Sequence, residues 1–160
     1  TLTSKVRNGS LRHAAQEQGT DVLLYEAGES LRFDGESIQL GIDGIFSVMR
    51  TIGMLPSKST KSIYKPRMAK SSHWIRASQG GIFRQTKGLG EKVKAGDELG
   101  ILADPFGQNK VPVKSIANGI IIGVNNLPLV NQGDAIFHVA CWDPVKRSTR
   151  IKPRDVELNQ

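Results

Sequence analysis

Val93-Lys94-Ala95-Gly96-Asp97-Glu98-Leu99-Gly100-Ile101-Leu102 returns, at a constant offset of 37 residues (Gly96 to Gly133), as Val130-Asn131-Gln132-Gly133-Asp134-Ala135-Ile136-Phe137-His138-Val139. Upstream, Gly81-Ile82-Phe83 returns as Gly119-Ile120-Ile121, one residue further apart. Each copy reads glycine, strand, loop, Val-x-x-Gly-Asp turn, strand. Two such copies can pair around a pseudo-twofold axis so that each closes the core of the other. Gly-Asp supplies a positive-φ turn and a side-chain hydrogen bond in each half. Turn signals recur about every 8–12 residues between short Val, Ile, Leu and Phe runs, the spacing of a small all-β sandwich or barrel.

Working outward, residues 56–72 are rich in Ser, Lys, Thr and Pro and carry no hydrophobic period, which predicts a linker. Before it the character is α/β. Ser10 is placed to cap a short helix over residues 11–18 with Gly19 as its stop. Asp21-Val22-Leu23-Leu24-Tyr25 is a continuous apolar run, as a strand covered on both faces requires. Asp34 is placed to cap a second helix whose Ile38, Ile42, Ile45, Met49 and Ile52 form one stripe, closed by Gly53 and Pro56. The chain divides into residues 1–56, a linker over 57–72, a β-sandwich over 73–143 and a basic tail over 144–160. Its class is α+β, mainly β.

The 160 residues are 38% hydrophobic and 23% charged, a composition that excludes disorder, collagen and coiled coil. No apolar window approaches the length of a membrane span, so no membrane association is expected. The opening Thr-Leu-Thr-Ser-Lys has no initiator Met and no leader pattern, and is read as the start of a piece of a longer protein. A single cysteine, Cys141, excludes an internal disulfide framework and fits a reducing, cytoplasmic setting. The net charge of +7 comes from 22 basic against 15 acidic residues. No acid lies between Asp43 and Glu91, an interval holding Arg50, Lys58, Lys61, Lys65, Arg67, Lys70, Arg76, Arg84 and Lys87, and Lys146, Arg147, Arg150, Lys152 and Arg154 cluster near the end. Without aromatic interleaving these read as solvated linker and tail, and no nucleic-acid partner is expected.

The duplicated glycine-strand-turn-strand unit over residues 74–140 resembles the biotinyl/lipoyl-like β-sandwich. The segment joining its halves, Ala103-Asp104-Pro105-Phe106-Gly107-Gln108, lacks a modifiable lysine in a carrier's setting, since neither Lys110 nor Lys114 has the neighbouring residues of one. A swinging-arm carrier is therefore not expected. Taken together, Leu11-Arg12-His13-Ala14-Ala15 with Gly19, Tyr25-Glu26-Ala27-Gly28-Glu29, residues 38–55, Trp74-Ile75-Arg76-Ala77 with Gly80-Gly81, and Asp104-Pro105-Phe106-Gly107 resemble the C-terminal half of a succinylglutamate desuccinylase/aspartoacylase family protein. The resemblance implies a truncated remnant of an α/β zinc-peptidase-like domain, followed by the β-sandwich, which would cover the cleft.

What the resemblance implies for chemistry is hydrolysis of an N-acyl amino acid or similar small amide. The parent's Zn²⁺ would be held by a His-x-x-Glu pair and a later His, none of them in this sequence, so no metal is expected on this chain and the piece alone is expected to be inactive. His13, His73 and His138 include no pair at i, i+4 and none beside a suitably spaced carboxylate, and read as surface or packed residues. Glu26 matches the Glu of the family's Glu-x-Gly motif, the general base and then acid. Independently, a carboxylate closing an apolar strand would emerge at the carboxyl end of a sheet, where burial raises its pKa; the residues alone equally allow a carboxylate that caps a turn or pairs with a base such as Arg32. In the whole enzyme the zinc would lower the pKa of its water and polarise the acyl carbonyl. Arg32 and Arg76 are candidates for holding substrate carboxylates. A homo-oligomer is compatible with the sequence. The alternative is a non-enzymatic binding or adaptor module built on the biotinyl/lipoyl-like domain.

Overall fold

Two kinds of local sequence give two kinds of unit in the computed structural model, which describes residues 1–2, 6–58 and 66–142. One unit is Lys5–Lys65, and the other combines Thr1–Ser4 with Pro66–Gln160. The expected basic tail, together with Lys61 and Lys65, lies outside the described residues.

The helical unit is built from local signals. Helix α1 is Leu11–Glu17, and the Ser10 hydroxyl accepts from the His13 N–H at 3.2 Å. The chain leaves it through Gly19 at φ 69°, a conformation that suits glycine. Helix α2 is Gly35–Thr51, with Asp34 at its N-cap and Gly53 at φ 80° beyond its end. Both helices are as the sequence indicates, but neither contains a buried residue. Residues 22–25 correct the sequence reading, because they form no strand. Leu23 is 81% and Leu24 62% exposed, and a strand exists only where a neighbouring chain accepts its hydrogen bonds.

The β unit contains β1 (Ser71–Arg76), β2 (Gly81–Gln85), β3 (Lys92–Val93), β4 (Glu98–Ala103), β5 (Val111–Lys114), β6 (Gly119–Val124), β7 (Leu129–Val130) and β8 (Ala135–Cys141). They form two four-stranded antiparallel sheets, ordered β1-β8-β6-β3 and β5-β4-β2-β7. Exchanging the repeat halves, β1 with β5, β2 with β6, β3 with β7 and β4 with β8, turns one order into the other. Each sheet therefore takes strands from both halves. The register obeys the same exchange: Ile82 faces Ala103 and Phe83 faces Leu102, while Ile120 faces Ala140 and Ile121 faces Val139. Strand β1 opens inside the segment read as linker, since Ser71 and Ser72 find Cys141 and Ala140 to pair with. Thr1 joins this unit too, accepting from the Ala69 N–H at 2.8 Å while its own ammonium donates to the Arg67 carbonyl at 2.8 Å.

The Gly-Asp turns share one set of backbone hydrogen bonds. The carboxylate of Asp97 accepts from the Lys94 N–H at 2.8 Å, and that of Asp134 from the Asn131 N–H at 2.8 Å. The N–H of Gly96 donates to the Ser115 carbonyl and that of Gly133 to the Ala77 carbonyl, both at 2.8 Å, so each turn is fastened to the strand end of the other half. Between the sheets lies one apolar core in which Leu99, Leu102, Ile136 and Phe137 are fully buried. Burying each such side chain stabilises the fold by about 1.5–3 kcal/mol. Phe83 meets Phe137 edge to face at 5.7 Å, and Gly100 makes room for the Phe83 ring, since a Cβ there would come within 2.6 Å of it. Cys141 is buried in the same core, and burial pushes its thiol pKa up.

Glycine is required at the start of β2 and of β6 for one steric reason. A Cβ on Gly81 would collide with the Ala103 carbonyl, and one on Gly119 with the Ala140 carbonyl. Gly81→Ala and Gly119→Ala should each destabilise the β unit by about 1–3 kcal/mol or more, the overpacking range, read as a fall in melting temperature. A variant of either kind with unchanged stability would show that the two approaches are not equivalent constraints. Residues 66–142 produced alone should unfold in one cooperative transition, with Cys141 reacting with thiol reagents as the core opens.

Candidate functional site

The segment after the apolar run folds back over the first turn of α2. Gly28, at φ 80°, makes the reversal. The Tyr25 hydroxyl donates to the Ser37 carbonyl at 2.8 Å, and its ring lies on Gly41, where a Cβ would stand 3.0 Å from it. Asp34 then fixes the helix start: Oδ1 accepts from the Ser37 N–H at 3.1 Å and Oδ2 from the Ser37 hydroxyl at 3.0 Å. The backbone N–H of Ser37, then its hydroxyl, hold the Asp34 carboxyl below its ordinary pKa. Tyr25, Gly28, Glu29, Arg32, Phe33 and Ser37 are among the residues lining a depression of about 180 Å³.

Glu26 sits at the edge of this fold-back, between two residues that line the depression, Tyr25 and Ala27. It is exposed rather than buried at a strand end, and it makes no hydrogen bond or ion pair with another described residue. Because no strand forms over residues 22–25, the placement expected from the sequence is not made within this chain. Arg32 lines the depression and pairs through Nε with Glu29 Oε1 at 2.5 Å, an i, i+3 pair that the sequence spacing alone could have shown. Arg76 belongs to the β unit, where Nη1 donates to the Gly133 carbonyl at 2.8 Å and ties down the second Gly-Asp turn. Glu26 and Arg32 thus share one unit and Arg76 lies in the other.

The histidines are dispersed. His13 lies 3.8 Å from Glu17, one turn along α1, a His-carboxylate pair that the sequence reading passed over. His73 Nε2 is buried without a hydrogen-bond partner among the described residues, and His138 stacks on Trp74 with ring centroids 4.1 Å apart. Among the described residues no group of three or more His, Cys, Asp or Glu could hold a metal ion. No helix among them is long and apolar enough to cross a membrane. Tyr25, Phe33 and Ser37 went unrecognised as lining residues because nothing in the sequence shows that the chain reverses at Gly28 onto a helix it has yet to form.

Mixed α/β architecture, with two helices and two antiparallel sheets, is shared with solved structures of the desuccinylase and aspartoacylase kind. The ectoine utilization protein EutE (DoeB) from Ruegeria pomeroyi is 21% identical with a TM-score of 0.74, over 85% of this chain and 44% of that one. A succinylglutamate desuccinylase/aspartoacylase from Rhodobacter sphaeroides is 21% identical with a TM-score of 0.69, over 82% of this chain and 43% of that one. A succinylglutamate desuccinylase from Silicibacter sp. TM1040 is 20% identical with a TM-score of 0.71, over 88% and 44%. The resemblance read from the residues is thus met at the level of fold, and this chain spans less than half the length of each of these proteins. No protein-family model and no curated relative matches the sequence.

The Asp34 cap gives a pH test with a defined sign. A carboxyl whose pKa is depressed in the fold contributes stability above its unfolded pKa and loses it as pH falls through the folded value. The Ser37 amide proton shift should therefore titrate with a midpoint below that of an ordinary Asp carboxyl. Asp34→Asn should abolish that titration while keeping the helix, and Asp34→Ala should lower helix content by circular dichroism at neutral pH. A Ser37 titration surviving in Asp34→Asn would assign it to another acid.

Proposed function

We propose that this chain is the C-terminal portion of a zinc-dependent amidohydrolase that cleaves the amide of an N-acyl amino acid or related small carboxylate. The observation that carries the reading is the fold match extending over more than four-fifths of this chain, together with a Glu-x-Gly turn in sequence where the resemblance calls for one. Two further features support it: the apolar stripe of α2 is exposed along Ile38, Ile42, Ile45 and Ile52, and the run over residues 22–25 is unpaired. Both are what part of an α/β domain presents when the rest of its sheet belongs to another segment.

The zinc that the resemblance implies finds no fitting ligand set among the described residues, and on this reading its ligands lie in a segment outside this sequence. This chain supplies Glu26. With residues 22–25 drawn into a sheet, Glu26 stands at the strand's carboxyl end, takes a proton from the attacking water and returns it to the departing amine. Arg32, released from Glu29, is the candidate for a substrate carboxylate; Arg76, committed to Gly133, is the weaker one. The β unit, read as a biotinyl/lipoyl-like sandwich, carries no prosthetic group. The reading makes the protein cytoplasmic, acting on a small molecule rather than on nucleic acid, and leaves the isolated piece inactive.

In the intact parent, Glu26→Gln should lower turnover by about 10²- to 10⁴-fold, the contribution of a general base, with folding and zinc content unchanged. Turnover, melting temperature and metal content measured on the same preparation check this. A folded, zinc-loaded and fully active Glu26→Gln enzyme would falsify the catalytic assignment. Loss of stability with activity per folded molecule preserved would make Glu26 a structural residue.

A further inference from the structure

Where the two halves have diverged, the outer face of the second sheet has acquired two cations. On β2 and β4 the pairs Ile82–Ala103 and Arg84–Ile101 lie in register and, with the hairpin over residues 104–110, line a shallow depression of about 280 Å³. Ile82, Ile101 and Pro105 are apolar members of its lining, and Arg84 and Lys110 are its cations. Its one acid, Asp104, keeps its charge but is held within the hairpin, leaving two cations against one anion in the lining. Asp104 Oδ1 accepts from the N–H groups of Phe106 (3.0 Å) and Gln108 (2.7 Å), and Oδ2 from Asn109 Nδ2 (2.9 Å). The side chains of Arg84 and Lys110 have no ion-pair or hydrogen-bond partner among the described residues.

The internal repeat marks the difference. In sequence the positions equivalent to Arg84, Ile101 and Asp104 are Ile122, His138 and Cys141, and on the first sheet a register shift places Gly123 rather than Ile122 opposite His138, so neither the cation nor its strand pairing recurs there.

We propose that this depression binds a small amphipathic carboxylate, its acid group received by Arg84 and Lys110 and its hydrocarbon laid on Ile82, Ile101 and Pro105. A guanidinium and an ammonium lining one depression suit a carboxylate, which can accept charge-assisted hydrogen bonds from both. The volume falls below the range of drug-sized ligand pockets, about 300–1,000 Å³, which favours a small acid over an extended polymer. The site lies within the β unit and stands or falls independently of the role of Glu26.

The test is a titration of the ¹⁵N-labelled chain with hexanoate, followed by amide shifts, beside parallel titrations with hexanol and acetate. Saturable shifts are expected at Ile82, Arg84, Ile101 and Gly107, weakening as salt is raised. Hexanol and acetate should each bind at least about tenfold more weakly, each having lost one half of the recognition. The double variant Arg84→Gln, Lys110→Gln should lose about tenfold or more in affinity, while Lys92→Gln, on the other sheet, should bind as the parent does. Shifts that do not saturate, shifts centred elsewhere, hexanol binding as well as hexanoate, or a folded double variant with unchanged affinity would each overturn the proposal. Should the double variant unfold, the hexanoate, hexanol and acetate series on the unaltered chain decides.

Discussion

The β unit depends on a reciprocal bond: the Gly96 N–H held by the Ser115 carbonyl and the Gly133 N–H held by the Ala77 carbonyl. Each joins a turn of one half to the strand end of the other. The answering bonds, Ser115 N–H to the Asp97 carbonyl and Ala77 N–H to the Asp134 carbonyl, close each junction on both sides. Since each sheet is assembled from strands of both halves, neither half can complete a sheet or cover its own Leu99 or Ile136 alone. Main-chain pairing and apolar burial are thereby coupled, and the core forms as a unit.

The helical unit rests on a different balance. Its ordering comes from contacts close in sequence: Ser10 to His13, Asp34 to Ser37, Tyr25 to Ser37, Arg32 to Glu29. Such contacts start and stop helices but contribute little beyond that, because isolated helices are marginal without the burial of a face. The apolar residues that would supply burial are present in α2 and lie open. The candidate site occupies this weaker part, so its geometry is set by a cap and a glycine reversal rather than by a packed core.

This division explains what could be read from the amino acids. Helices α1 and α2 were legible because Ser10, Asp34, Gly19 and Gly53 act over three or four residues. The repeated strand-turn-strand unit of the β part was legible because the chain states it twice. Residues 22–25 were misread because an apolar run encodes a preference for burial, not the neighbour that provides it, and Glu26 lost its expected surroundings with them. The start of β1 was hidden because Ser71 and Ser72 pair through their backbones, whose hydrogen-bonding capacity is the same in every residue but proline. Arg32 and Arg76 were found as cations, but their partners, Glu29 and the Gly133 carbonyl, turn them to local duties.

A duplicated chain also carries its own alignment. Through the strands and turns of the two halves, six residues remain identical: Gly81 and Gly119, Ile82 and Ile120, Val93 and Val130, Gly96 and Gly133, Asp97 and Asp134, Ala103 and Ala140. Each stands in the shared machinery of turn, close approach or register: Val93 pairs with Gly119 as Val130 pairs with Gly81, and Ile82 faces Ala103 as Ile120 faces Ala140. Elsewhere the copies have drifted, even in the core, where Gly100 answers Phe137 and Phe83 answers Ile121. Ancestry is thus written where two backbones must meet, while volume has been traded freely between the halves. The molecule needs the sum of its core side chains to be right, and each half is free to supply an unequal share.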